Sequence, residues 1–279
     1  MVAVAGDVQP SLAGISQIPV RQVKPDAWSL LMEKIELWVR SILFNLVFLF
    51  WVTVPTILFV WIVLLPQSKV VKVIRYWQAT FAWLAKTIAG IDYVITGWKH
   101  VPHGACIIAA KHQSAWETCV LNVLFHDPAI VLKKELTYIP VWGWFAKASG
   151  LIPIDRKGGA KSLLIMKKAA SDAIKAGRKI VIFPQGTRVK PHTHKPYKVG
   201  VAAMYQDLKL PVVPMALNSG LFWPKGAFLK KKGIVTIEFL PAIPPGLTRS
   251  ALMRKLEEQL ETASDRLARE AISCAAKKK

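Results

Sequence analysis

The stretch Lys179-Ile-Val-Ile-Phe-Pro-Gln-Gly-Thr-Arg188 is a short apolar run, rich in β-branched residues, that Pro184 and Gly186 cut off. A run this short with no polar face predicts a strand over residues 179–183 covered on both sides, as in a parallel sheet. Working outward, residues 160–176 and 199–208 carry apolar positions at helical spacing, so the strand sits between two helices. The same alternation continues in both directions. Strands are predicted at 94–96, 105–110, 130–132, 151–154, 212–217 and 234–239, and further helices at 115–125, 141–148 and 252–272. This βα order predicts an α/β domain over residues 91–279, with a mixed, largely parallel sheet flanked by helices.

The 279-residue chain combines a formal charge of +21 with 53% hydrophobic residues and 11 Trp. A disordered basic tail lacks such apolar content, so the charge implies an anionic partner for a folded protein. Nucleic acid and anionic lipid both fit the sign. The apolar residues favour lipid: from Ile42 to Leu65, 24 residues carry no formal charge, and as a helix they would reach about 36 Å, enough to cross a bilayer. The basic residues are scattered rather than gathered with aromatics, which argues against nucleic acid. Residues 28–90 are therefore expected to be a membrane-embedded helical segment, made of the run 42–65 and an amphipathic helix over 69–89 that packs on the domain or lies on lipid. Residues 1–27, mixed in Gly, Pro and small apolar residues, read as a weakly ordered leader.

Basic residues flank the run on both sides, so charge bias does not orient it. A single span and a bent hairpin at Pro55 that re-enters the same leaflet both fit. Cys106, Cys119 and Cys274 form no disulfide or zinc pattern, consistent with a reducing compartment. The expected location is the inner, cytoplasmic membrane, with the α/β domain on the cytoplasmic face.

Lys111-His112-Gln113-Ser114-Ala115-Trp116-Glu117 follows the strand at 105–110 and places a base near a carboxylate. Five residues apart on one helix, the two side chains would diverge, so they meet only if His112 precedes the helix and Glu117 lies in its first turn. Ser114-x-x-Glu117 equally matches a capping box, in which Glu117 serves the helix start alone. The residues by themselves leave both readings open. Phe183–Arg188 ends a strand in a Pro/Gly turn with an arginine, and Lys133, Lys134 and Arg156 stand at other strand ends. Ligands of open α/β sheets gather outside the carboxyl ends of strands, so these cations can converge on an anion. No Gly-x-Ser-x-Gly elbow occurs, which argues against a serine hydrolase. His192-Thr-His194 lacks a further ligand set, and no metal is expected.

Four ordered blocks, His112-x4-Glu117, Gly150-Leu-Ile-Pro-Ile-Asp-Arg156, Phe183-Pro-Gln-Gly-Thr-Arg188 and Val213-Pro-Met-Ala-Leu-Asn218, resemble the glycerolipid acyltransferase superfamily. Within it they are most similar to the enzymes that acylate 1-acyl-sn-glycerol 3-phosphate, and the likeness covers about residues 90–245. It implies that His112 deprotonates the sn-2 hydroxyl of lysophosphatidic acid for attack on the thioester of acyl-CoA or acyl carrier protein, with Glu117 orienting the imidazole. It also implies phosphate binding by Arg188, Lys133 and Arg156, an oxyanion site at the backbone of Gly186, and no cofactor. Another lysolipid or glycerol 3-phosphate is the alternative acceptor, and a non-catalytic basic membrane adaptor the alternative class. Glu117 stands where the superfamily usually has Asp, and Gln185 where it usually has Glu. The first change keeps the charge; the second removes it, and no catalytic role is assigned to Gln185.

Overall fold

The computed structural model describes residues 26–277, so the leader expected over 1–27 lies almost wholly outside the described residues. Seven strands, β1 (Ile91–Thr96), β2 (Ile107–Ala110), β3 (Ala129–Lys133), β4 (Ile152–Ile154), β5 (Ile180–Ile182), β6 (Val212–Leu217) and β7 (Gly233–Phe239), form one sheet. The strand order is β1-β7-β6-β2-β5-β3-β4. Every neighbouring pair is parallel except β6 and β7. This is the mixed, largely parallel sheet that the alternation of elements predicted.

The central strands are buried on both faces because their apolar residues alternate between two cores. Ile107, Ala109, Ile180, Ile182, Val212 and Ala216 face one; Ile108, Ala110, Val181, Val213, Met215 and Leu217 face the other. On the first side lie α5 (Gly159–Lys175), α6 (Gly200–Leu208) and α7 (Arg249–Lys277). α7 docks through Leu252, Leu256, Leu260, Ala263 and Leu267, spaced by three or four residues so that they share one stripe. The second side is covered by the N-terminal helices and by α3 (Leu121–Phe125), while α4 (Trp142–Ala148) bridges β3 and β4.

The apolar run sits inside α1 (Ala27–Leu58), which Asp26 caps by accepting the N–H of Ser29 at 2.9 Å. α1 contains Pro55, and the chain then turns through a short 3-10 segment, Val60–Leu64. α2 (Gln67–Leu84), prolonged by a π turn at Ala85–Ala89, comes back along it. Trp77 Nε1 donates to the Trp51 carbonyl at 3.3 Å and Arg40 Nε to the Ile88 carbonyl at 3.0 Å, the register of an antiparallel helix pair. The bend thus falls after Pro55 rather than at it, and α2 is the returning arm. α1 is long and apolar enough to cross a membrane, and only 11% of its most hydrophobic window is buried. Ser41, Phe44 and Asn45 nevertheless fix its middle to the domain: Phe44 is buried against Trp223, the Ser41 hydroxyl accepts the Lys230 N–H, and Asn45 Nδ2 donates to the Phe228 carbonyl.

One helix departs from expectation. Residues 115–125 form a 3-10 turn at Glu117–Cys119 followed by the single-turn α3, not one continuous helix. Glu117 turns its carboxylate back onto the backbone N–H groups of Gln113 and Ser114, and Val120 breaks the helical path at φ −124° and ψ −2°.

Candidate active site

Because β4, β3, β5, β2 and β6 are parallel, their carboxyl ends lie along one edge of the sheet. The segments carrying the sequence blocks leave from these ends: Lys133 closes β3, Arg156 follows β4, His112 follows β2, Phe183–Arg188 follow β5, and Asn218 follows β6. The Val189 N–H donates to the His112 carbonyl at 2.8 Å, tying the β5 turn to the β2 loop.

His112 Nδ1 lies 2.8 Å from Glu117 Oε1. The same oxygen accepts the N–H groups of Gln113 at 2.7 Å and Ser114 at 2.8 Å, while Oε2 accepts the Ser219 hydroxyl at 2.8 Å. Glu117 is fully buried, and each of these partners can donate to it, the arrangement that suits an acceptor-only carboxylate. The proton shared with His112 then sits on Nδ1, which leaves Nε2 with its lone pair as a base. The imidazole is further held flat against Phe183, with ring centroids 4.1 Å apart and planes 25° from parallel. Of the two competing readings of the sequence, the His112–Glu117 contact is present and the capping box only in half: Glu117 reaches back to the Ser114 N–H, but Ser114 Oγ accepts the Trp116 N–H at 3.1 Å and Trp116, not Ser114, precedes the turn at Glu117–Cys119.

His112 opens onto a cavity of about 1010 Å³. Its lining includes apolar side chains of the helical hairpin, Trp51, Phe59, Ile74 and Phe81 among them, together with Lys133, Arg156, Gly186 and Lys198 from the segments at the strand ends. The structure therefore brings His112, Lys133, Arg156 and Gly186 to one chamber, but Arg188 is not among its lining residues. Lys133 pairs with Glu135 at 3.1 Å, whereas among the described residues the side chains of Arg156, Arg188 and Lys198 have no hydrogen bond or ion pair. Gly186, at φ +66°, brings the β5 turn close beneath Arg156 and Lys198. Its N–H is committed to the Phe183 carbonyl at 2.9 Å, the bond that closes the turn, so that group is not free to serve the expected oxyanion.

Gln185 is buried and donates to Glu261 of α7 at 3.2 Å. Glu261 also accepts from Lys111 Nζ at 2.6 Å and the Tyr197 hydroxyl at 2.7 Å. Burial beside this carboxylate pushes the Tyr197 phenol up, through desolvation first and the negative charge second. Lys111, a surface lysine by composition, is thus a buried ion-pair partner immediately before the dyad. Sequence reasoning missed Ser219, Lys198 and Glu261. Ser219 directly follows the fourth block, and its place at a strand's carboxyl end was the available signal; Glu261 lies about 150 residues from Lys111 and left none.

A buried carboxylate hydrogen-bonded to an imidazole that lines a cavity is an arrangement able to activate a hydroxyl brought by a substrate. Among the described residues, no serine, threonine or cysteine side chain is hydrogen-bonded to His112. The chain matches the Acyltransferase family over residues 92–218. It is 35% identical over 171 residues to the 1-acyl-sn-glycerol-3-phosphate acyltransferase of Pseudomonas aeruginosa, covering 61% of this chain and 66% of that one. It is 29% identical over 193 residues to the enzyme of the same name from Saccharomyces cerevisiae, covering 67% and 62%. The matched part thus spans slightly less than two thirds of these relatives. The crystal structure of the 1-acyl-sn-glycerophosphate acyltransferase from Thermotoga maritima shares the fold, with a TM-score of 0.67 at 20% identity over 84% of this chain and 97% of that one.

Proposed function

We propose that this chain is a membrane-bound acyltransferase that moves an acyl group from acyl-CoA or acyl carrier protein to the sn-2 hydroxyl of lysophosphatidic acid, giving phosphatidic acid. The observation that carries the reading is the His112–Glu117 pair on a cavity whose lining includes both apolar side chains and cations. In the proposed reaction Nε2 of His112 takes the hydroxyl proton as the oxygen attacks the thioester carbonyl. Glu117 stabilises the imidazolium that forms. The tetrahedral intermediate collapses by expelling the thiolate, which recovers the proton from His112. The apolar lining suits acyl chains, and Arg156 with Lys133 suits the acceptor phosphate, which a guanidinium can hold bidentately. The reaction so written requires no metal or cofactor. The names of the relatives support lysophosphatidic acid over other acceptors.

For the membrane segment, the antiparallel return of α2 along α1 favours a hairpin that enters and leaves on one side, held to the domain by Ser41, Phe44 and Asn45. The proposed site of action is the cytoplasmic face of the inner membrane, on anionic lipid. The test is purified protein assayed against lysophosphatidic acid, lysophosphatidylcholine, glycerol 3-phosphate and monoacylglycerol, each with acyl-CoA and acyl carrier protein donors of matched chain length. Phosphatidic acid should be the dominant product by mass; acylation of monoacylglycerol at an equal rate would refute the phosphate-directed reading.

A further inference from the structure

We infer that Ser219 is a positioning residue of the dyad, acting through Glu117; this rests on His112 being the base. The fourth sequence block, Val213–Asn218, runs directly into Ser219. Its strand, β6, ends at Leu217, and the following 3-10 turn (Ser219–Leu221) delivers two bonds to the β2 loop. The Ser219 hydroxyl donates to Glu117 Oε2 at 2.8 Å, and the Gly220 N–H donates to Gln113 Oε1 at 3.0 Å. A Cβ on Gly220 would sit 2.9 Å from both Gln113 Cβ and Pro191 Cδ, so glycine is what lets the turn come this close.

Three donors converge on Oε1 of Glu117, yet they leave the plane of the carboxylate to be set by Oε2. Among the described residues Ser219 is the hydrogen-bond partner of that second oxygen, and both residues are fully buried. A glutamate has a long side chain to immobilise. With Oε1 and Oε2 both pinned, the carboxylate can present Oε1 to the His112 Nδ1–H in one orientation only. The turn itself is fixed from outside the site: Asn218 Oδ1 accepts the Thr236 N–H at 2.9 Å and Asn218 Nδ2 donates to the Leu267 carbonyl at 3.2 Å.

Losing the hydroxyl leaves Oε2 buried without a donor, so less of the carboxylate charge is satisfied and more is offered to proton uptake by the pair. The acidic limb of the kcat/KM–pH profile then moves to higher pH. The experiment compares the full-length protein with Ser219→Ala, Ser219→Thr, Asn218→Ala and His112→Ala, measuring rate–pH profiles and thermal melting. Ser219→Ala is expected to lower kcat about tenfold at neutral pH and move the acidic limb up by about half a unit, with KM for both substrates unchanged. Ser219→Thr, which keeps the hydroxyl, should restore the limb, and Asn218→Ala should lower the melting temperature without moving it. An unshifted limb in Ser219→Ala, whether or not activity falls with stability, overturns the inference while His112→Ala remains inactive. Full turnover in His112→Ala would instead overturn the dyad reading on which it rests.

Discussion

His112 Nδ1 and Glu117 Oε1 stand 2.8 Å apart, and the carboxylate that meets the imidazole also accepts the backbone N–H groups of Gln113 and Ser114 in the same loop. One side chain therefore builds the loop and orients the base. Glu117→Gln keeps the shape and can still accept on one atom, but it removes the charge that stabilises the imidazolium. The expected result is a fall in kcat of roughly 100-fold or more with a small change in melting temperature, measured by steady-state kinetics on the detergent-solubilised protein.

Cys119 lines the same cavity as His112 and invites the idea of a thioester intermediate on the enzyme. Burial pushes its thiol up to about 12, with the neighbouring Glu117 charge adding to the effect and the Thr118 hydrogen bond opposing it. So little thiolate exists near neutral pH that it is no nucleophile. Cys119→Ala should keep turnover within about threefold. Iodoacetamide at pH 8 should label the exposed Cys274 and spare Cys119, as read by peptide mass spectrometry.

Among the described residues Arg156 lines the chamber with no hydrogen-bond or ion-pair partner for its side chain, and Arg188 does not line it. Arg156→Ala is expected to raise KM for lysophosphatidic acid by about tenfold, the value of a charge-assisted contact, while monoacylglycerol turnover stays unchanged. Arg188→Ala should have the smaller effect on KM. The reverse ranking in initial-rate measurements would move the phosphate to the other side of the β5 turn.

Arg178 staples the start of β5 to the loops before β3 and β4. Its Nε donates to Asp127 at 2.9 Å, Nη1 to the Gly150 carbonyl at 2.8 Å, and Nη2 to the carbonyls of Ser149 at 2.9 Å and Pro128 at 3.1 Å. Arg178→Ala leaves these buried acceptors unmet and should cost about 3 kcal/mol. The corresponding drop in melting temperature is roughly 10 °C, with the kinetic constants of the surviving folded protein unchanged.

The strands were legible because each is a short apolar run between punctuating residues. Strand β5 is the clearest case: Ile180–Ile182 alternates between two cores, and Pro184 and Gly186 close it. The 115–125 segment was misread as a continuous helix because its apolar spacing is helical, while the deviation comes from Glu117 spending its carboxylate on the loop behind it. Spacing alone could not choose between capping box and dyad, since both have Glu117 turning back onto the loop before it. Lys111 and Glu261 were invisible as partners because the contact joins β2 to α7 across the whole domain. Arg188, Lys133 and Arg156 were all expected at the site from their strand ends; Lys133 and Arg156 line the cavity, Arg188 does not, and Lys198 is there unforeseen.

The central claim is that His112 is the base for acyl transfer to the hydroxyl of lysophosphatidic acid. The direct measurement is single-turnover transfer from radiolabelled acyl donor to lysophosphatidic acid by purified His112→Ala, in parallel with its membrane association and melting temperature. The expected result is a loss of about 1000-fold or more in the transfer rate, with membrane association and melting unchanged. Transfer within a few-fold of the unaltered protein would contradict it.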